Sequence, residues 1–317
     1  MTGLGNAGRW PRPRVIVSRC LGFASCRYDA TTVDCPSVAQ LRPFADLIPV
    51  CPEAGAGLGV PREPIKLLLS HDGIRMVEPR TGRDRTREVY RFSAMFIASL
   101  DNVDGLILKS RSPSCAVKDA RLYRDSTDRA EVGRGPGLFA RMAMAAFPCA
   151  AVTDEVGLAD PSVREEFLTK LFTIARFRAV KIAGGAGDLR RFHVENRLLL
   201  MARNRRQTED LDRLLTCGEA MPSADLICEY EHGLLRAFRR PARPASALKV
   251  LMQIVEQLGR IFPGERPRLL ETLEDPGKGK VGLAIPREIV RRWAAGFEDD
   301  DQARRTYLEP YPHELVQ

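Results

Sequence analysis

Three short apolar runs in the first half of the chain each lead into a cysteine, and this repeated pattern constrains the fold more than any other feature. The runs are RVIVSRC (14–20), IPVC (48–51) and GLILKS (105–110), and Cys115 follows the last run by five residues. Short runs rich in Val, Ile and Leu predict buried strands. The cysteines that follow these strands are therefore candidate site residues: Cys20, Cys51 and Cys115.

The segment between the first two runs predicts how the strands are connected. PSVAQLRPFADL (36–47) has the apolar spacing of a helix, so that residues 14–51 form a strand, helix, strand unit. Such a unit is parallel and has a right-handed crossover. The carboxyl ends of parallel strands line one edge of a sheet, where ligands bind, so we expect the three cysteines to converge there. The sequence thus predicts an α/β domain with a Rossmann-like parallel sheet.

The periodicity of the chain changes near residue 150. Before it, IKLLLS (65–70) and IRMVE (74–78) predict strands, and residues 84–100 and 134–148 predict helices. From Asp160-Pro161 onward, apolar residues recur at helical spacing to about residue 307. We therefore predict an α/β domain over 14–150 and an all-α domain over 160–317, joined by the linker VTDEVGLADP.

Charge and cysteine usage limit the class of protein. No apolar run approaches the roughly 20 residues of a membrane helix, and RVIV is too short for the core of a signal peptide. We therefore expect a cytoplasmic chain in which the eight cysteines are reduced. The net charge of +8 favours anionic partners. RRFHVENRLLLMARNRR (190–206) either faces RNA or forms a basic solvated helix, and His193 within it is expected to be packed or capping.

Cysteine chemistry explains why three convergent thiols matter. Three thiolates are soft ligands that suit iron–sulfur clusters or zinc, and a fourth position left open can take a substrate. Each cysteine taken singly could equally be a small buried hydrophobe, so only the coincidence of three favours a site. Cys26 is close enough to Cys20 in sequence to be a spare ligand, but it does not follow a predicted strand and is expected to be a packing residue. The remaining cysteines are expected to be packing residues: Cys35, Cys149, Cys217 and Cys228.

Three ordered segments resemble a known family. VSRCLGFASCRYD, IPVCPEAGAGLGVPREP and LKSRSPSCAVKDARLY are similar to the signature blocks of the thiouracil desulfidase (TudS-type) family, formerly domain of unknown function 523. Later segments, FHVENRLLLMARNRR, RRPARPASALKVLMQIVEQL and YLEPYPHELV, resemble the YbgA-type helical domain, domain of unknown function 1722. The first resemblance covers about residues 14–150, and the second covers most of 160–317.

The resemblance implies an activity and a set of site residues. It implies a 4Fe-4S cluster held by Cys20, Cys51 and Cys115, whose open iron takes the sulfur of a thiolated pyrimidine. Water then replaces the sulfur without net redox change, and hydrosulfide is released. By motif, the resemblance assigns a catalytic carboxylate to Glu53 and a catalytic serine to Ser112. It leaves open whether the substrate is a free base, a nucleotide or RNA.

The residues of these motifs can also be interpreted by their chemistry alone. A thiophilic metal polarises a thiocarbonyl, a carboxylate such as Glu53 can deprotonate the attacking water, and a hydroxyl such as Ser112 can relay the proton. Alternatively, Glu53 caps a loop, and Ser112 and Ser114 bond the backbone of a turn. Three residues are possible substrate contacts: Arg62, Lys109 and Ser114. Arg62 and Lys109 could instead be ordinary surface cations.

A second hypothesis belongs to a different class of function. In it, the chain is a nucleic-acid-binding or regulatory protein, the N-terminal metal site is structural or redox-sensing, and the basic helical domain binds the partner. Turnover of thiouracil distinguishes the two hypotheses, because only the desulfidase releases hydrosulfide.

Overall fold

A computed structural model of the chain describes residues 10–71, 73–125, 131–261, 267, 284–294 and 301–316. The chain divides into two compact units, Met1–Ala175 with Leu315–Gln317 and Arg176–Glu314. None of the helices within the described ranges is long and apolar enough to cross a membrane. The domain limits of 14–150 and 160–317 stay a prediction, since a division by compactness does not test which part folds independently.

The first unit alternates strands and helices. Its described strands are β1 (Arg14–Ser18), β2 (Asp46–Val50), β3 (Lys66–Ser70), β4 (Gly73–Val77), β5 (Gly105–Leu108), β6 (Ala120–Tyr123), β7 (Gly133–Gly135) and β8 (Ala151–Asp154). Its described helices are α1 (Pro36–Leu41), α2 (Pro52–Gly55), α3 (Thr86–Ala98), α4 (Leu138–Ala146) and α5 (Glu155–Ala159), and α6 (Pro161–Ala183) follows them.

A parallel sheet with the strand order β2-β1-β5-β8 positions the site. Nearly all residues of β1 and every residue of β5 are buried, which is typical of a parallel sheet covered on both faces. Ile16 of β1 and Leu106 of β5 share a core cluster with Phe139 of α4, against which Phe92 and Phe96 of α3 pack. The predicted α/β class of the N-terminal part is confirmed.

A second sheet has the strand order β4-β3-β6-β7 and mixed direction. β3 pairs with β4 antiparallel and with β6 parallel, and β6 pairs with β7 antiparallel. Neither β6 nor β7 was predicted from the sequence, because ARLY and GRG are too short to show a period of two. The helix predicted from residue 134 is wrong at its start, since Gly135 belongs to β7 and precedes Pro136, which disfavours helical backbone at the residue before it.

Two other predicted segments end differently in the structure. The helix predicted over 36–47 stops at Leu41, because Pro43 has no N–H with which to continue the helical hydrogen bonds, and residues 46–47 already belong to β2. The segment interpreted as a linker is also wrong over residues 152–159, which form β8 and α5. A three-residue run such as VTD does not distinguish a strand from a loop by periodicity.

Helices are the only regular elements among the described residues of the second unit, as predicted. Its helices are α7 (Ala186–Cys217), α8 (Ser223–Ala237), α9 (Pro244–Ile261), α10 (Ala284–Ala294) and α11 (Gln302–Leu308). α7 is kinked at Asn204, whose φ of −154° and ψ of 93° are not helical. The Asn204 side chain accepts a hydrogen bond from the Gln207 N–H at 3.1 Å and so caps the second half of α7.

The basic segment 190–206 lies in α7, and several of its side chains are paired within the unit. His193 is buried and bonded to the Tyr230 hydroxyl at 2.9 Å and to Asp212 at 2.7 Å, as expected for a packed histidine. Arg197 also pairs with Asp212, and Arg205 pairs with Glu209. These ion pairs favour the interpretation of α7 as a solvated basic helix over that of an RNA-binding surface.

Candidate active site

A cavity of about 480 Å³ opens at the carboxyl ends of β1, β2 and β5. β1 lies between the other two strands, so the chain leaves β1 on one side and later returns on its other side. Open α/β sheets bind ligands at the crevice where the strand order changes direction in this way. The residues that line the cavity fall within five segments, 18–20, 26–28, 50–53, 62–65 and 109–115.

The three predicted cysteines all line this cavity. Cys20 follows β1 by two residues, Cys51 follows β2 directly, and Cys115 lies in the turn after β5. Cys20 and Cys115 are buried, and Cys51 is half-buried. The structure thus brings three thiols from distant parts of the sequence to one cavity wall, and their role as ligands stays a prediction.

Cys26 is a fourth thiol at the same cavity. Its thiol interacts with those of Cys20 and Cys51, and its carbonyl oxygen lies 3.6 Å from the Cys51 Sγ. The same carbonyl accepts a hydrogen bond from Arg62 at 2.9 Å. Its position as a spare ligand beside Cys20 is therefore compatible with the structure. Cys217 and Cys228 are exposed on the helical unit.

The pKa values of the thiols indicate whether these side chains are suited to bind a metal. A hydrogen bond with Cys26, together with burial, raises the pKa of Cys51. Burial raises the pKa of Cys115 to about 12, although hydrogen bonds from Ser18 and Ser112 lower it. Buried thiols in such surroundings keep their protons unless a cation takes the place of those protons, and a thiophilic metal centre does so.

The thiols on the cavity wall have the chemistry of iron–sulfur cluster ligands. Throughout the residues that the structure describes, no three His, Cys, Asp or Glu side chains come close enough together to hold one metal ion. In an iron–sulfur cluster, however, the cysteines bind different irons and need not touch one another. Cys20, Cys51 and Cys115 are soft donors of the type that an iron–sulfur cluster uses, and the cluster itself stays a prediction.

Glu53 is a buried carboxylate with partners on both oxygens. It lies in the first turn of α2, two residues after Cys51, and is 7% exposed. Its Oε1 accepts a hydrogen bond from the Ser114 hydroxyl at 2.7 Å, and its Oε2 accepts two from Arg62, at 2.8 and 2.7 Å. A carboxylate has about four acceptor positions, so these three bonds leave one on Oε1.

Arg62 lies beneath the surface of the protein. Its side chain is 7% exposed, and besides Glu53 it donates hydrogen bonds to the carbonyl oxygens of Cys26 and Gly59, at 2.9 and 3.2 Å. The alternative that Arg62 is a surface cation is therefore wrong. Its guanidinium joins the turn that carries Cys26 to the carboxylate of Glu53, and its role in substrate binding stays a prediction.

Ser112 organises the turn that carries Cys115. Its Oγ accepts hydrogen bonds from the backbone N–H groups of Ser114, at 3.3 Å, and Cys115, at 3.1 Å. The turn-bonding alternative is therefore correct for the Ser112 oxygen. Its hydroxyl hydrogen is still available for donation, and the Cys115 thiol is among its neighbours. Ser114 instead donates its hydrogen to Glu53.

Lys109 is paired with a residue that the sequence analysis missed. Its Nζ lies 2.5 Å from Glu155 Oε1, which also accepts a hydrogen bond from the Ser110 hydroxyl at 2.6 Å. Glu155 Oε2 accepts the Ser110 N–H at 2.8 Å. Burial raises the pKa of Glu155, but the bonds from Lys109 and Ser110 outweigh it, so the pKa is lowered and the carboxylate stays ionised. Lys109 therefore anchors the start of the turn.

Ser18 is a second residue of the site that the sequence analysis did not single out. It is fully buried at the end of β1, accepts the Lys109 N–H at 2.9 Å, and bonds to the Cys115 thiol. Its position two residues before Cys20 could have identified Ser18 as a site residue from the sequence. Glu155 gave no such signal, since it lies in the segment interpreted as a linker.

The rim of the cavity is positively charged. Arg19 and Arg111 are exposed and line it, and Glu53 is the carboxylate among its lining residues. The Arg111 backbone has a φ of 58°, a left-handed conformation that residues other than glycine rarely adopt. The cavity therefore suits a ligand with an anionic or electron-rich portion near its mouth.

Known proteins resemble both halves of the chain. Residues 15–155 match the family described as 2-thiouracil desulfurase. Over 109 residues, the chain is 30% identical to the uncharacterized protein YbbK of Bacillus subtilis (strain 168). The aligned region covers 32% of this chain and 72% of YbbK. The chain belongs to the 2-thiouracil desulfurase family. As a member of that family it is an enzyme, and the resemblance to the thiouracil desulfidase family is confirmed.

The match to the 2-thiouracil desulfurase family ends at Glu155, so it includes every residue that lines the cavity. Residues 197–312 match a second family, described as a protein of unknown function, DUF1722, and the predicted resemblance of the helical part is confirmed as well. Among solved structures, the [4Fe-4S]-dependent thiouracil desulfidase TudS is 24% identical, with a TM-score of 0.39 over 47% of this chain and 94% of that chain.

Proposed function

We propose that this chain is an iron–sulfur-dependent desulfidase that removes the sulfur of a thiolated pyrimidine without net redox change and releases hydrosulfide. The observation that carries the proposal is the meeting of three thiols with Glu53 and Ser112 at one cavity in a 2-thiouracil desulfurase. Cys20, Cys51 and Cys115 hold a 4Fe-4S cluster in this proposal. When bound, the cluster supplies an iron without a protein ligand, a Lewis acid that polarises the carbon–sulfur bond.

Glu53 is the proposed general base. The acceptor position left on its Oε1 can take a hydrogen bond from the attacking water, and the carboxylate then removes a proton from it. The bonds from Arg62 and Ser114 fix the orientation of the carboxylate during this transfer. The oxygen of the water replaces the sulfur on the ring carbon, and the sulfur leaves as hydrosulfide, so no electrons are gained or lost.

Ser112 is the proposed proton relay. Its oxygen is held by two backbone N–H groups, so the hydroxyl stays in place while its hydrogen can be directed at a neighbouring atom. A hydroxyl in this position can pass a proton to the departing sulfur or orient the ring of the substrate.

An assay under anaerobic conditions tests the proposal. We expect the full chain, purified without oxygen, to contain iron and labile sulfide and to convert 2-thiouracil to equal amounts of uracil and hydrosulfide. Iron and sulfide without turnover would support a structural or redox-sensing metal site instead. Zinc bound without sulfide would contradict the cluster itself.

Cysteine variants identify the ligands. We expect serine at position 20, 51 or 115 to abolish the visible absorption of the cluster and the iron content, because thiolates hold such clusters. Cys228→Ser is the matched control, since Cys228 is exposed on the helical unit, and it should load as much iron as the wild type. Equal loss in the control would show that the assay reports only folding.

Assays of a free base, a nucleotide and RNA under the same conditions test which form of thiolated pyrimidine the enzyme prefers. Exposed Arg19 and Arg111 at the rim favour a substrate with an anionic group over the free base. We therefore expect a higher kcat/KM for a thiolated pyrimidine nucleotide than for 2-thiouracil, with thiolated RNA as the third substrate. Equal values for base and nucleotide would contradict a role for the rim arginines.

A further inference from the structure

Tyr28 is an aromatic residue at the mouth of the cavity that the proposed chemistry does not use. Its side chain lines the cavity and is 45% exposed, among the largest exposures of the described aromatic residues of the chain. The Arg27 guanidinium lies over the Tyr28 ring, 5.7 Å from its centroid, and Arg27 also lines the cavity, so the ring is placed beside a cation at the cavity mouth.

Hydrogen bonds hold the backbone around Tyr28 in the position that places its ring at the cavity. The Tyr28 carbonyl oxygen accepts the Arg62 N–H at 2.9 Å, next to the Arg62 side chain that holds Glu53. Asp29 stabilises the loop after Tyr28, because its side chain accepts hydrogen bonds from the Thr31 N–H and hydroxyl at 3.2 and 2.6 Å. Ala30 has a φ of 57°, a strained conformation that this tight loop maintains.

The other walls of the cavity supply the remaining features of a site for a flat ring. Pro64 and Ile65 add apolar surface, whereas Glu53 and Ser112 add polar atoms. A heteroaromatic ring has two apolar faces and a polar edge, and it needs both kinds of surface. An aromatic side chain is the usual surface on which proteins stack such rings.

We propose that Tyr28 stacks against the pyrimidine ring of the substrate and makes the enzyme select aromatic thiocarbonyl compounds over acyclic ones. The inference rests on the proposed function for the identity of the substrate. It assigns to Tyr28 a direct contact with the ring, whereas the hydroxyl of the tyrosine has no required role. Phenylalanine can therefore replace Tyr28, and leucine cannot.

The test compares Tyr28→Leu and Tyr28→Phe with the wild type in the full, cluster-containing chain. With 2-thiouracil, we expect Tyr28→Leu to raise KM by about tenfold or more and to leave kcat within about threefold, because ring binding is lost while the chemistry is retained. Tyr28→Phe should stay within about twofold of the wild type in both constants. Thiourea, an acyclic thiocarbonyl, should be affected equally little by both substitutions.

Tyr90→Leu is the matched control. Tyr90 lies on α3, is 55% exposed, and does not line the cavity, so its loss tests the effect of removing an exposed tyrosine anywhere in the unit. We expect wild-type constants for this variant. A rise in KM equal to that of Tyr28→Leu would overturn the inference.

Binding of uracil, measured by calorimetry on the same proteins, separates this inference from the proposed function. We expect Tyr28→Leu to weaken uracil binding by about tenfold, and Tyr28→Phe to preserve it. No uracil binding by the wild type, or equal binding by Tyr28→Leu, overturns the stacking inference. A wild type that binds uracil through Tyr28 but releases no hydrosulfide from 2-thiouracil contradicts the proposed function and leaves the stacking contact supported.

Discussion

Glu53 and Ser112 illustrate at the scale of single residues how one side chain serves both the fold and the proposed chemistry. Three of the acceptor positions of Glu53 hold Arg62 and Ser114, and the fourth is left for water. The oxygen of Ser112 holds the turn before Cys115, and its hydrogen is left for donation. Substitution of either residue therefore has a structural consequence and a catalytic one, which must be measured separately.

We predict that Ser112→Ala and Glu53→Gln each lower turnover of 2-thiouracil by on the order of a hundredfold or more, the usual effect of losing a positioned acid or base. The visible spectrum of the cluster should change little, because neither residue is a proposed ligand. The measurement is kcat at saturating substrate, normalised to iron content. Loss of iron in proportion to activity would make both residues structural.

Glu53→Gln should also destabilise the protein, since Arg62 then keeps its buried charge without a carboxylate. Removing one partner of a buried ion pair costs about 3–5 kcal/mol. The thermal midpoint of unfolding should fall, whereas Ser112→Ala should shift it less. An unchanged midpoint in Glu53→Gln would show that water reaches Arg62.

At the scale of elements, the turn 109–116 and α4 form one assembly. The carbonyl oxygens of Pro113, Ser114 and Ala116 accept the N–H groups of Leu138, Ala140 and Gly137, at 3.1, 3.0 and 2.8 Å. The first turn of a helix has N–H groups without partners inside the helix, and here the turn that carries Cys115 supplies those partners. The position of α4 is therefore coupled to the position of that thiol.

Gly137 allows this close approach. A Cβ at this position would lie 2.8 Å from the Pro113 carbonyl oxygen and closer still to the Ser114 carbonyl group, both parts of the backbone. We predict that Gly137→Ala displaces the turn, destabilises the protein by about 1–3 kcal/mol, and lowers the iron content of the purified chain. Chemical denaturation and iron analysis measure the two effects.

Gly187→Ala is the matched control for this prediction. Gly187 lies in the first turn of α7, and no atom lies within 4 Å of the Cβ that alanine would add. Alanine favours helix over glycine by about 1 kcal/mol, so the control should be neutral or slightly stabilised and should keep its iron. Iron loss in both variants would contradict the prediction that iron binding depends on the close approach at Gly137.

At the scale of the whole molecule, the helical unit contains several groups whose pKa values are lower in the folded state. Burial lowers the pKa of His193. Burial raises the pKa of Asp212, but hydrogen bonds from Arg197 and His193 outweigh it and lower the pKa overall. Hydrogen bonds from Arg291 and Arg292 lower the pKa of Glu288 to about 2. Each group binds protons more readily in the unfolded chain, so acid favours unfolding.

We predict that the thermal midpoint of the full chain falls as the pH is lowered. The loss should begin near the ordinary His value of 6.5 and continue from the ordinary Glu value of 4.5 down to about 2, where Glu288 itself becomes protonated. Glu288→Gln should flatten the fall below pH 4.5. Glu256→Gln, which changes an exposed carboxylate of α9, should leave the slope unchanged. A pH-independent midpoint in the wild type would contradict the prediction.

The sequence by itself determined the classes of the two parts and the three strands that carry the cysteines. Apolar periodicity is a local property, and parallel strands place their carboxyl ends at one edge whatever the loops between them do. For this reason the convergence of Cys20, Cys51 and Cys115 on one wall followed from their positions at strand ends. The sequence did not show the pairing of β6 with β7, because neither run is long enough to have a period.

Only the tertiary structure decided which side chains surround the thiols. Arg62 could be assigned to solvent or to a substrate from the sequence, and its burial against Glu53 depends on the path of the loop after α2. Glu155 lies in a segment that was predicted to be a linker. The pairing of β8 with β5 places it next to Lys109 and Ser110. Such partners are far apart in sequence and meet through irregular loops, whose course no periodic pattern records.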